Sequence, residues 1–236
     1  MLDITIDLET CALCPTAAVM SVGAVAWKRN GEDTPFFAIN DGSNVLDADV
    51  VFSAHVDLRS MFVDGFTFDA DTAKWWSAQS AKAKSAVLEW DYEDVVCSPI
   101  DKVIMDFVVW VEDVKKSTGE DDVCLWSQGT DFDVAILRNI CYKYNIELPV
   151  SYKNFRDHRT FFLEGARTIC DIAGIGFDPS RAYTLVDELD EKGAPHDPVF
   201  DCKRSIYSTW QMMKHLHCFK KDYAQNLVNK TLDKEE

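Results

Sequence analysis

Positive charge is scarce in this chain: 24 lysines and arginines face 40 aspartates and glutamates, a formal net charge of −16 over 236 residues. Duplex nucleic acid is held non-specifically through neutralised phosphates, so this balance argues against tight binding of that kind. An enzyme that meets phosphate through bound cations remains open, because acids that ligate metal present a positive surface once loaded. Long hydrophobic runs are missing too. The longest, Ala17 to Trp27, is interrupted by Ser21 and Gly23 and is far too short to cross a bilayer. No basic segment leads into an apolar one, so no secretory signal and a cytoplasmic location are expected. The eight cysteines, at 11, 14, 97, 124, 141, 170, 202 and 218, follow no disulfide framework. Cys11 and Cys14 form a Cys-x-x-Cys pair without the second pair that structural zinc needs, and His215, His217 and Cys218 crowd one short segment.

What is present is an ordinary globular composition, 47% hydrophobic and 27% charged, in a chain long enough for one domain with a substantial core. Its opening stretch, Leu2 to Thr10, alternates as a strand does. Ile4, Ile6 and Leu8 project to one face and Asp7 and Glu9 to the other. Two neighbouring carboxylates in the middle of a sheet repel each other and take up protons unless a cation lies between them. A lone Asp-x-Glu is more often a solvated strand end, so the pair gains meaning only if further acids converge on it.

A second strand is expected over Ala17 to Trp27, a turn at Lys28 to Gly31 and a third strand near Pro35 to Asn40, with Asp41 to Ala70 irregular. Thr72 to Val87 has helical spacing, capped by Asp71 or Thr72, and carries the adjacent Trp75 and Trp76. Both cannot share one helix face, so at least one points away from the core; each is either a core residue or a platform on which a base stacks. Ile100 to Lys116 is an amphipathic helix, Val123 to Ser127 a strand, and Gly129 to Asp131 the turn into another helix. On that helix Asp133 falls on the apolar stripe of Ile136, Leu137, Ile140 and Tyr144, whereas Asp131 has a structural explanation as the N-cap. Asn154 to Thr160 reads as a polar link before a helix over Phe161 to Ala173, and Tyr183 to Pro195 as a loop. The last helix begins at Pro198, with His196 just ahead of it and Asp201 in its first turns.

Asp7, Glu9, Asp133 and Asp201, with His196 five residues before the last, resemble in order and context the DEDDh branch of the 3′-5′ exonucleases. The motifs are Asp7-Leu8-Glu9-Thr10, Gln128-Gly129-Thr130-Asp131-Phe132-Asp133 and His196-Asp197-Pro198-Val199-Phe200-Asp201. Gln128 stands where the family usually has Asn, and Pro198 where Ala is usual. Thr72 to Ser80, Phe155 to Thr160 and His196 to Cys202 are also similar to blocks of bacteriophage exonuclease A and its exoribonuclease-like bacterial relatives. The resemblance implies an α/β fold: an RNase H-like mixed five-stranded sheet, order 3-2-1-4-5, flanked by helices. Residues 1–220 would form a single exonuclease domain and 221–236 a charged C-terminal tail.

The same resemblance implies a site in which Asp7, Glu9, Asp133 and Asp201 hold two Mg2+ or Mn2+ ions. Asp7 bridges both, and Asp133 acts largely through coordinated water. His196 takes the proton of the attacking water, a task that suits an imidazole. The implied substrate is a single-stranded nucleic acid degraded from its 3′ end to mononucleotides, with DNA favoured and RNA the alternative. Thr10, Trp75, Trp76 and Arg159 are the substrate-binding candidates, Arg159 as a phosphate contact or as the partner of an acid. A non-catalytic binding module with this fold would be expected to have lost a metal ligand, and all four acids are retained.

Overall fold

The first strand lies in the middle of the sheet. In the computed structural model, which describes residues 1–37, 49–87 and 96–232, the sheet is built from β1 (Leu2–Thr10), β2 (Val19–Trp27), β3 (Val51–Val56), β4 (Cys97–Ser98), β5 (Val123–Ser127) and β6 (Phe155–Asp157). The order is β4-β3-β2-β1-β5-β6. β1, β2 and β3 run antiparallel in succession, whereas β4, β5 and β6 are each parallel to the neighbour they join. The expected five-strand order corresponds to the path β3-β2-β1-β5-β6, to which the two-residue β4 adds an edge.

Two layers of helices cover the sheet. Leu2, Ile4, Ile6 and Leu8 pack with Ile104, Phe107 and Val111 of α4 (Ile100–Thr118) and Ile136, Leu137 and Ile140 of α5 (Ala135–Tyr144). On the other face Val25, Trp27, Cys124 and Trp126 meet Cys202, Ile206 and Trp210 of α7 (Pro198–Leu232). Between β6 and the irregular segment that precedes α7 runs α6 (His158–Ala173), joined to α7 through Phe162, Ala166 and Met212. Asp3, on the same face of β1 as Asp7, is a buried structural carboxylate: it accepts hydrogen bonds from Arg29 and from the Trp126 indole.

The antiparallel register puts Asp7 opposite Gly23 of β2. A Cβ on Gly23 would lie 2.6 Å from the carbonyl carbon of Pro198 and 2.7 Å from the amide nitrogen of Val199, so the missing side chain is what lets the start of α7 sit on the sheet beside Asp7. One turn on, the Cys202 thiol rests against the carbonyl oxygens of Thr5 and Gly23 at 3.5 and 3.6 Å. A small, weakly polar side chain keeps the helix close here, and burial pushes the Cys202 thiol well above its ordinary range.

Several local expectations are corrected. The third strand is Val51–Val56; of the segment near Pro35 to Asn40, residues 38–40 lie outside the described residues, and Phe36 makes a single bridge to Trp27. The described part of the segment expected to be irregular therefore holds β3 and a short helix, α1 (Leu58–Val63). The helix expected over Thr72 to Val87 is two, α2 (Ala70–Ala78) and α3 (Ala81–Val87), broken at Gln79 and Ser80. The Asp69 carboxylate, not Asp71 or Thr72, caps α2 by accepting from Thr72 N. The supposed polar link is β6, after which α6 starts at His158. A 3-10 turn, Pro179–Leu185, runs into the first residues of the expected loop. α7 continues as helix to Leu232, through most of the segment set apart above as a tail.

Candidate active site

Five side chains from four parts of the chain meet at the C-terminal half of β1. Asp7 and Glu9 arrive on one face of β1 through strand alternation. Asp133 arrives on a π-helical turn, Thr130–Val134, that leads into α5; it is 3% exposed and accepts a hydrogen bond from Leu8 N at 3.2 Å. Asp201 and His196 come from the start of α7 and the residues before it. The His196 amide donates to Asp201 Oδ2 at 3.1 Å, and His196 Nδ1 lies 3.7 Å from Glu9 Oε1. One ligand atom each from Glu9, His196 and Asp201 fall within 4.8 Å of one another. His196 has φ +64°, a left-handed conformation uncommon outside glycine, and held strain of this kind concentrates at functional positions.

Crowding these carboxylates raises the cost of ionising them. Burial, then repulsion from Asp133, Glu9, Asp201 and Asp197, holds the Asp7 carboxyl well above the usual range. Burial and repulsion from Asp201, Asp133 and Asp197 push Glu9 up to about 8. Asp133 is pushed up to about 7 by burial, against the opposing pull of the Leu8 amide and the positive charge of Arg159. The chemistry of this donor set, hard carboxylate oxygens crowded where burial and mutual repulsion disfavour their ionised forms, fits divalent cations such as magnesium or manganese. A cation among them would favour the ionised forms that burial now disfavours.

The substrate-binding candidates take different positions. Trp76 is buried and its indole donates to Thr10 O at 3.0 Å, so it is core on one side and braces the end of β1. Trp75 is 47% exposed. Both rings stand edge-on to the His196 imidazole, at centroid distances of 5.1 Å for Trp75 and 5.4 Å for Trp76. Thr10, Trp75 and Trp76 line a largely apolar cavity of about 540 Å3 with Leu8, Glu9, Leu13 and Phe132. The Thr10 hydroxyl itself donates to Ala12 O at 2.9 Å. Arg159, at the exposed start of α6, reaches toward Gly129 and Asp133 without lining that cavity.

Three residues near the acids were not singled out for these roles in the sequence. Asp157 accepts from Thr130 N at 2.9 Å and from Thr160 N at 2.7 Å, capping both the turn that carries Asp133 and α6. It replaces Asp131, expected as the N-cap of the turn. Asp197 caps α7 by accepting from Val199 N and Phe200 N at 3.0 and 3.1 Å. Its place just before Pro198 and the helix is a cap signal legible in the sequence. Arg204 pairs with Asp201 at 3.0 Å, and its spacing of three residues was the available cue.

Solved nucleases share this architecture. The nuclease domain of 3'hExo, a DEDDh family member, bound to rAMP, matches with a TM-score of 0.51 at 13% identity, covering 91% of this chain and 92% of that one. Cell-death related nuclease 4 (CRN-4) matches with a TM-score of 0.55 at 15% identity, covering 91% of this chain and 64% of that one. At these identities the likeness is one of fold, the RNase H-like α/β architecture of DEDDh nucleases. A family model described as the 3'-5' exoribonuclease Rv2179c-like domain matches residues 2–205, a span that includes all five convergent residues. The chain belongs to that Rv2179c-like 3'-5' exoribonuclease domain family and is a 3′-5′ exonuclease. No curated protein sequence gives a significant match. Among the described residues, no helix is long and apolar enough to cross a membrane.

Proposed function

We propose that the chain is a divalent-metal-dependent exonuclease that removes mononucleotides from the 3′ end of single strands, with RNA as its principal substrate. The observation that carries this reading is the meeting of Glu9, His196 and Asp201 within 4.8 Å beside Asp7 and Asp133, two further acids that burial makes costly to ionise. RNA is supported by the description of the family as exoribonucleases and by the rAMP bound to 3'hExo. DNA, suggested by the resemblance to bacteriophage exonuclease A, is the second reading. Residues 1–220 make up the exonuclease domain and 221–236 its charged tail.

Asp7, Glu9, Asp133 and Asp201 would hold two magnesium or manganese ions, whose chemistry is to activate a water and stabilise the departing oxygen. His196 takes the proton from the attacking water, and its contacts with Glu9 and with the mutually packed indoles of Trp75 and Trp76 orient the imidazole. The bond broken joins phosphorus to the 3′-oxygen of the upstream nucleotide, leaving a nucleoside 5′-monophosphate and a strand with a new 3′-hydroxyl. The cavity of about 540 Å3 beside Glu9 is large enough for the terminal nucleoside, with Trp75 offering an exposed ring for its base. Arg159, beside Asp133, is placed to meet the substrate backbone.

Single-stranded RNA and DNA of one sequence, each labelled at the 5′ end and incubated with magnesium, test this reading. Stepwise shortening from the 3′ end, faster for RNA and abolished by EDTA, is expected. Faster loss of DNA would transfer the substrate assignment to it, and cleavage that survives thorough chelation would overturn the metal-dependent reading.

A further inference from the structure

A second cavity, of about 230 Å3, opens from the other side of the acids and is lined by Asp7, Asp201, Gln128, Tyr183, Arg204 and Ser205, among others. The two cavities are of opposite character. The one beside Glu9 is aromatic and apolar; this one is mainly hydroxyl, amide and charge. Its polar wall is organised: Ser205 Oγ donates to Gln128 Oε1 at 3.1 Å, and Gln128 Nε2 donates to the Tyr183 hydroxyl at 3.4 Å. Tyr183 in turn lies flat on Phe162, with ring centroids 4.4 Å apart. His158, which also borders the cavity, is held neutral by burial, its ordinary value lowered to about 3, and its two ring nitrogens are engaged by Thr5 and Thr209. Among the described residues, Arg204 is therefore the one cationic side chain lining either cavity.

An anionic strand approaching a protein of net charge −16 needs a local positive group, and the acids between the cavities repel it until cations are bound. We propose that this cavity is the subsite for the sugar and 5′-phosphate of the nucleotide upstream of the scissile bond, and that Arg204 is the residue that binds that phosphate. The inference rests on the exonuclease reading, which puts the scissile phosphate at the acids and the terminal nucleoside in the aromatic cavity. At about 230 Å3 the space is smaller than the roughly 300–1,000 Å3 of pockets that enclose drug-sized ligands, so it takes a sugar and phosphate and leaves the base outside. Sequence-independent hold on the upstream nucleotide follows. The present partner of Arg204 is Asp201, three residues earlier on α7, in a pair whose arginine side chain is 59% exposed. The carboxylate side chain is 22% exposed, but the guanidinium faces solvent and can exchange that carboxylate for a phosphate, whose oxygens suit its fork geometry.

Two dinucleotides of one sequence, one carrying a 5′-phosphate and one ending in a 5′-hydroxyl, differ only in the group assigned to Arg204. Wild-type protein with magnesium is expected to prefer the phosphorylated dinucleotide about tenfold in kcat/KM, mainly through KM. Arg204→Ala should bring that ratio close to one, and Arg204→Lys, which keeps the charge without the fork, should retain part of it. An unchanged preference in Arg204→Ala, or no preference in the wild type, would overturn the assignment. If the wild type cleaves neither dinucleotide nor longer strands, the exonuclease reading itself fails, which is a separable result.

Discussion

Without metal, the protein should lose stability as pH rises from 5 to 8, and Glu9→Gln should remove much of that loss. Unfolded, Glu9 ionises near its ordinary value of 4.5; folded, burial and neighbouring acids hold its proton until about 8. The folded state therefore binds more protons over this interval, and the resulting stability is fully present below 4.5 and lost as pH climbs through 8. At about 1.4 kcal/mol per tenfold change in proton affinity, Glu9 alone accounts for a loss on the order of 3 kcal/mol between pH 5 and 8. For a chain of this size that corresponds to roughly 6–12 °C in Tm. Thermal unfolding in EDTA at intervals across this range measures it, with wild type and Glu9→Gln compared so that the background of the net negative charge is shared. Saturating magnesium or manganese should flatten the wild-type curve, because a bound cation favours the ionised acids. Parallel pH profiles for the two proteins in EDTA would refute the claim that Glu9 is electrostatically strained.

Other consequences follow from the same geometry. His196→Ala should slow hydrolysis by about 10²- to 10⁴-fold, the usual contribution of a positioned acid or base, with manganese binding by calorimetry largely retained; undiminished turnover would remove His196 from proton transfer. Gly23→Ala forces a methyl group against the backbone of Pro198 and Val199, so urea denaturation should show a loss of about 1–3 kcal/mol, with activity reduced even where the protein is folded. Equal stability would show that α7 does not press on β2 there. Trp75→Ala, at a half-exposed position, should change stability by less than about 0.5 kcal/mol yet raise KM by about 5- to 100-fold, the worth of one stacked base. An unaltered KM would take Trp75 out of the substrate cavity.

Legibility in the sequence depended on how local the physics was. The alternation of Leu2 to Thr10 was enough to give β1 and to put Asp7 and Glu9 on one face, and helical periodicity was enough to turn Asp133 inward. The periodicity did not reveal that Asp133 sits on a π-helical turn, nor that its cap comes from Asp157 on another strand, because that partner lies 27 residues away. β3 was missed because Ser53 and His55 dilute its apolar pattern, and β6 because three residues are too few to show any period. The break between α2 and α3 was hidden because Ala73, Trp76 and Ala83 keep helical spacing across it, while the cap that starts α3 again is a single hydroxyl, Ser80 Oγ accepting from Ala83 N. The family motifs supplied the link between β1 and α7 that no local pattern contains. How the two segments come together is a matter of packing, through Gly23 and Cys202.

The most direct measurement is anomalous scattering from crystals soaked in manganese. Peaks are expected among Asp7, Glu9, Asp133 and Asp201, with the Arg204 guanidinium drawn off Asp201. Manganese bound only elsewhere, or a fully soaked crystal with no peak among these four carboxylates, would contradict the account.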